Sequence, residues 1–237
     1  TTAGEVEQIA FSPYRPGGYS TKFDGTGDSL SITGGSNFTM AGDFTAECWI
    51  YCTATTNDYA GILGFSHDGE SAGWNILLRS NGKFHFNVGM TYSDATGSVT
   101  LNEWTHLALV RSGSGSGNCK LYVNGVADAT TITKTGSVAQ PSFIEIGGYP
   151  AISSRKFVGY ISDVRVVNGT AVYTTNFTPP SDRLEAISNT KLLTCHKPYL
   201  KDESTVGATI AVNGDPTFEP FAPFDYQAYD AADFGAS

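Results

Sequence analysis

The residues of this chain that could do chemistry are acids beside glycine-rich turns and aromatics set among polar side chains. Asp24 and Asp28 flank the turn Gly25-Thr26-Gly27. Ca2+ takes about six to eight oxygens from carboxylates and loop carbonyls, and such a turn offers both. The same two acids could instead hydrogen-bond their own turn. Asp58, Asp68, Glu70 and Asp94 stand in polar stretches and could form a second, surface cation site. Tyr59, Trp74, Tyr92 and Tyr149 read as loop aromatics, with Asn57, Asp58, Asp68 and Arg155 near them in sequence. Gathered at one rim they would make a glycan-binding platform, with ring faces beside hydrogen-bonding groups. Alternatively, each caps the core or meets a neighbouring subunit.

Hydrolysis of a glycoside asks for more. Two carboxylates must share a strand face, one to attack or activate water and one to protonate the leaving oxygen. Glu47 is followed on its face by Trp49 and Tyr51, Glu145 by Gly147, and Asp163 stands alone in its strand. The four histidines are scattered, and no Ser/His/Asp spacing is recognisable. His106 reads as a packed or hydrogen-bonded strand residue, and His85, between Phe84 and Phe86, as exposed. The expectation is a protein that is not an enzyme.

The charge balance narrows the partners. With 23 acids against 14 bases the net charge is −9, and no basic cluster exceeds Arg155-Lys156. Nucleic acid, which needs a basic surface to displace counterions, is not an expected partner. Anionic lipid would repel such a surface. No signal peptide or membrane-spanning apolar run is evident. Cys48, Cys52, Cys119 and Cys195 form no CxxC pair and read as small buried hydrophobes of a reducing compartment. A Cys48–Cys119 or Cys52–Cys195 bridge stays open.

The elements that must position these groups are strands. Hydrophobic residues make up 40% of the chain and charged ones only 16%, with 27 glycines, the mixture of short strands and many turns. In Phe44–Tyr51, Phe44, Ala46, Cys48 and Ile50 share one face, and Thr45, Glu47, Trp49 and Tyr51 the other. Trp49 and Trp104 read as core by this pattern. Asn81-Gly82 and Asn124-Gly125 are hairpin turns. Period-two segments separated by turns predict an all-β, two-sheet antiparallel jelly-roll sandwich over residues 19–183. Residues 1–18 form an extended lead-in, 184–224 a small β appendage packed on the sandwich or a neighbour, and 225–237 a linker. Phe11-Ser12-Pro13-Tyr14 is echoed by Phe221-Ala222-Pro223-Phe224, which suggests one unit of a tandem series.

Five ordered segments carry a family resemblance. They are Phe23-Asp24-Gly25 with Asp28 to Ile32, Asp43 to Tyr51, Glu103 to Arg111, Lys120 to Gly125, and Gly159 to Val166. Over roughly residues 19–180 the chain resembles the laminin-G-like (concanavalin A-like lectin/glucanase) jelly roll. In that family the opening and closing strands are neighbours, which implies Asp163 beside Asp24 and Asp28 in a Ca2+ set. Residues 168–180, Leu192 to Cys195 and Thr209 to Asp215 are similar to tandem domains of bacteriophage structural and fibre proteins. That likeness implies a non-enzymatic structural or adhesion module of a virion, made in host cytoplasm. Its partners would be other fibre proteins, a host-surface glycan or further copies of itself. The competing expectation is a Ca2+-assisted, lectin-type receptor-binding domain.

Overall fold

The computed structural model describes residues 14–15, 18–67, 70–149, 152–224 and 227–228. Their strands are β1 (Tyr14–Arg15), β2 (Ser20–Asp24), β3 (Ser29–Thr33), β4 (Phe44–Cys52), β5 (Ala60–His67), β6 (Glu70–Leu78), β7 (Lys83–Val88), β8 (Thr91–Ser98) and β9 (Trp104–Arg111). After them come β10 (Cys119–Val123), β11 (Val126–Ile132), β12 (Phe143–Ile146), β13 (Val158–Asn168), β14 (Thr190–Thr194), β15 (Ile210–Asn213), β16 (Thr217–Glu219) and β17 (Gln227–Ala228). One sheet runs β11-β10-β9-β4-β13-β2-β16, with β14 also on β13, and the other runs β15-β3-β12-β5-β6-β7-β8. All pairings are antiparallel, and the two sheets make the sandwich that the alternation predicts.

The inner faces close on Phe23, Phe44, Trp74, Phe84, Phe86 and Phe157, each almost wholly buried. Each such ring contributes about 2–3 kcal/mol by leaving water. All four cysteines are free thiols buried in the sandwich. Burial pushes Cys52 and Cys119 up to about 11 and Cys195 up to about 12, so these thiols stay protonated at neutral pH.

Residues 184–224 are built into both sheets. β14 pairs with β13, β15 with β3 and β16 with β2. Trp49 and Trp104 are not core residues. They sit half-buried on the outer face of the first sheet with Tyr51 and Tyr160. The segment Phe221–Phe224 covers them: Phe221 lies 4.8 Å from Tyr51, 4.9 Å from Tyr160 and 5.1 Å from Trp104, and Phe224 lies 5.9 Å from Trp49. Elsewhere on this face Glu47 is wholly buried and paired with Arg165 (2.7 Å), His106 (3.2 Å) and the Tyr173 hydroxyl (2.8 Å). Burial alone would raise Glu47, but these three partners hold it below its ordinary value.

Candidate functional site

β6 and β7 pair with Asn75 opposite Asn87 and Leu77 opposite His85. Trp74, Ile76 and Leu78 fill the inner face of β6, and Phe84, Phe86 and Val88 that of β7. Alternation therefore sends Asn75, Leu77, His85 and Asn87 outward together. β8 adds Asp94 opposite His85 and Tyr92 opposite Asn87. On the far side the loop after β12 crosses β5. There the amides of Gly61 and Tyr149 both donate to the Arg155 carbonyl at 3.1 Å. A Cβ on Gly61 would stand 1.9 Å from the Gly148 carbonyl oxygen, so only glycine admits the loop. Between loop and strands opens a cleft of about 270 Å³ lined by Tyr59, Asn75, Leu77, His85, Asn87, Tyr92, Tyr149 and Arg155.

Tyr59 enters this cleft from a left-handed backbone, φ 55°. For a bulky residue that conformation costs about 1–3 kcal/mol and persists only when neighbours enforce it. The Arg79 and Arg155 guanidinium carbons lie 4.0 and 4.9 Å from the ring centroid, and His85 meets the ring at 5.0 Å, nearly perpendicular to it. Arg79 is anchored in turn by Asp58 (2.9 Å) and by both oxygens of Asp94 (3.0 and 3.1 Å).

Asp94 also meets His85 Nδ1 at 2.7 Å. Burial drives the His85 pKa below its ordinary value, although Asp94 pulls the other way. As the neutral imidazole, His85 donates through Nδ1 to Asp94 and keeps Nε2 as an acceptor. The hydrogen bond from His85, and then Arg79, holds Asp94 below the usual carboxylate range. Asp58 is lowered as well: Arg79 and Ser80 outweigh the slight burial that would raise it.

Two asparagines lie in the floor. Asn75 is 2% exposed and Asn87 5%. Yet Asn75 Nδ2, Asn75 Oδ1 and Asn87 Oδ1 have no hydrogen-bond partner among the described residues. A buried polar atom left unpaired costs about 1–3 kcal/mol. Such atoms, adjacent and of both polarities, suit a ligand that brings donors and acceptors side by side.

Of the aromatics expected to meet a ligand, Tyr59, Tyr92 and Tyr149 come together here. Trp74 does not: it shares the inner face of β6 with Ile76 and Leu78 and is 0% exposed. Tyr92 and Asp94 lie on β8, an edge strand, where the sequence reading has a loop. His85 is buried in the cleft floor, not exposed. Asn75, Asn87 and Arg79 escaped that reading, although an asparagine set between Trp74 and Ile76 is itself a signal. Asp68 and the Glu70 side chain lie outside the described residues.

At the β2–β3 turn, Asp24 and Asp28 are joined by Asp215. One carboxylate oxygen from each lies within 4.8 Å of the others. Asp28 accepts from the Asp24 amide (3.1 Å) and the Asp215 amide (2.9 Å), while Asp24 accepts from the Thr26 amide (2.6 Å). These bonds serve the turn itself, and the oxygen-only set also has the chemistry of a hard-cation site. Asp163 is not part of it. Val158, not Asp163, stands opposite Asp24, and Asp163 lies further along β13 at a bulge. There it is 0% exposed and accepts from the Leu184 amide and the Ser162 hydroxyl, both at 2.7 Å. Burial pushes its carboxyl up to about 7.

A family model described as the concanavalin A-like lectin/glucanases superfamily matches residues 24–174, more than half of the chain. A "putative carbohydrate binding protein" from Bacteroides ovatus superposes with a TM-score of 0.66 at 19% identity, over 85% of this chain and 59% of its own. The heptameric SAP-like pentraxin of Limulus polyphemus superposes with a TM-score of 0.59 at 11% identity, over 86% of this chain and 95% of its own. At these identities the likeness is one of fold. The chain spans under two thirds of the length of the Bacteroides protein. Comparison with curated proteins gave no match.

Proposed function

The chain belongs to the concanavalin A-like lectin/glucanase superfamily, and we propose that it is a carbohydrate-binding module whose ligand lies in the cleft over β6, β7 and β8. The observation that carries this reading is that three amide atoms of Asn75 and Asn87 are buried without a partner among the described residues, in a cleft lined by three tyrosines. Sugar hydroxyls both donate and accept, so one ring can engage amide oxygen and amide nitrogen together. Tyr92, 65% exposed, offers a ring face at the mouth. The fold shared with the Bacteroides ovatus protein supports the reading at the level of architecture.

Binding fits the cleft better than hydrolysis. A glycosidase acid must hold its proton near neutral pH. Asp58 and Asp94, the acids at this cleft, are instead held ionised by Arg79 and His85. The raised carboxyl, Asp163, is buried on the other sheet against Leu184. A glycan array tests the proposal: retention of one glycan class, lost in Asn87→Ala, is the expected result. The absence of any retained glycan would refute it.

Ca2+ is the cation that Asp24, Asp28 and Asp215 would hold, and its bound charge would offset three carboxylates. Asn57 links that turn to the cleft wall, donating to the carbonyls of Gly25 (3.0 Å) and Lys156 (2.8 Å). Ca2+ occupancy would therefore stiffen the cleft without touching the sugar.

A second reading rests on the Phe221–Phe224 strap. Its docking on Tyr51, Tyr160 and Trp104 gives the repeated aromatic-x-Pro-aromatic motif a structural use. We infer that such straps join successive modules of a tandem adhesion protein, of which a phage fibre is one setting. Light scattering and proteolysis of a two-module chain would test it: a fixed inter-module angle is expected, and freely jointed beads would count against it.

A further inference from the structure

We propose that the cleft selects glycans that carry a carboxylate, with Arg155 as the specificity-determining residue; this rests on the reading of the cleft as a carbohydrate site. Arg79 is neutralised by Asp58 and Asp94. Lys156, the neighbour of Arg155, is paired with Glu145 at 2.8 Å. Arg155 alone of these three has no ion pair and no side-chain hydrogen bond among the described residues.

Its guanidinium is nevertheless held in place. The carbon lies 4.9 Å from the Tyr59 centroid and 4.9 Å from that of Tyr149. Its backbone carbonyl is fixed by the amides of Gly61 and Tyr149. Stacking leaves the in-plane N–H groups of a guanidinium unspent, because rings engage its faces and hydrogen bonds leave from its edge. A pre-positioned planar fork with open donors matches a carboxylate in two parallel hydrogen bonds. The chain carries a net charge of −9, so an unneutralised arginine lining the cleft is not explained by general surface balance.

The rest of the cleft accommodates the sugar that bears such a group. Asn75 and Asn87 offer donors and acceptors for hydroxyls, and the neutral His85 ring offers an acceptor. Uronic and sialic acids both present a carboxylate on a hydroxylated ring, and the geometry points to that shared chemistry.

The test compares acidic glycans with their methyl esters. The intact chain and Arg155→Gln are applied to an array bearing neutral, uronate, sialate and sulfated glycans, and the strongest hits are titrated by calorimetry. The wild type is expected to bind a uronate or sialate glycan about tenfold or more tightly than its methyl ester, as a charge-assisted pair implies. In Arg155→Gln that ratio should collapse toward one. If Arg155→Gln does not fold, Arg155→Lys, which keeps the charge but not the planar fork, should lose part of the ratio. Equal binding of acid and ester by the wild type, a preference confined to sulfated glycans, or an unchanged ratio in either variant would overturn the proposal. Binding of neutral glycans alone, abolished by Asn87→Ala, would overturn this inference while leaving the carbohydrate reading intact. No binding of any glycan would overturn both.

Discussion

Asn75 and Asn87 face each other across β6 and β7, and three of their polar side-chain atoms are buried without a partner among the described residues. A fold selected only for stability would place apolar side chains there, as it does at Leu77 in the same cleft. Asn75→Leu should therefore leave stability unchanged or raise it by about 1–2 kcal/mol, since an unpaired amide is replaced by an apolar group. Glycan binding should fall at least tenfold in the same variant. Urea unfolding and calorimetric titration check the two halves, and a destabilised variant with intact binding would contradict the account.

Gly61 sets the far wall of the cleft. In Gly61→Ala the new methyl meets the Gly148 carbonyl, and backbone cannot step aside cheaply. The variant should lose about 1–3 kcal/mol. The displaced loop would carry Tyr149 and Arg155 away, so binding should fall as well. Melting and glycan retention measured together test this, and a variant indistinguishable from wild type would show that the loop does not depend on that close approach.

Asp163 should make stability depend on pH in a particular direction. Its folded carboxyl is raised to about 7, above an unfolded value near 4. Between those values the folded chain binds more protons than the unfolded one, so this group's contribution is fully present below about pH 4. It is lost as pH rises through about 7. His85 and His196, lowered by burial, slope the opposite way below their ordinary values. The comparison of wild type with Asp163→Asn isolates the carboxyl. The stability difference between the two should shift by roughly 2–4 kcal/mol from pH 4 to pH 8, with wild type relatively weaker at pH 8. A difference flat with pH would show the carboxyl is not raised.

The aromatic strap should be worth measurable stability. Phe221 packs on Tyr51, Trp104 and Tyr160 at once. Phe221→Ala should cost about 2–3 kcal/mol and expose Trp104, seen as a red shift in tryptophan emission. An unaltered spectrum with unaltered stability would mean that the strap rests on the sheet without holding to it.

Much of this molecule can be read from period-two alternation. The face of Phe44, Ala46, Cys48 and Ile50, and the hairpin turns at Asn81-Gly82 and Asn124-Gly125, appear where local pattern puts them. What local pattern cannot carry is pairing between distant segments. β15 reaches β3 across the whole chain, and Asp215 joins Asp28 from 187 residues away. The same limit explains Asp163: neighbouring strands are predictable, but their register, with Val158 opposite Asp24, is not. β8 reads as a loop in the sequence because Ala95 alone of its side chains is buried, as suits an edge strand. That Tyr59, Tyr92 and Tyr149 stand beside polar residues is legible in the sequence, and the structure brings the three to one cleft. The asparagine floor beneath them became visible only once the strands were paired.

The most direct test is amide chemical-shift mapping of the intact chain titrated with the glycan it retains best on the array. The account predicts saturable shifts centred on Tyr59, Asn75, His85, Asn87 and Tyr92, with smaller ones at Gly61 and Arg155. Shifts confined to the Trp49–Tyr160 face of the other sheet, or to the Asp24–Asp28 turn, would contradict it.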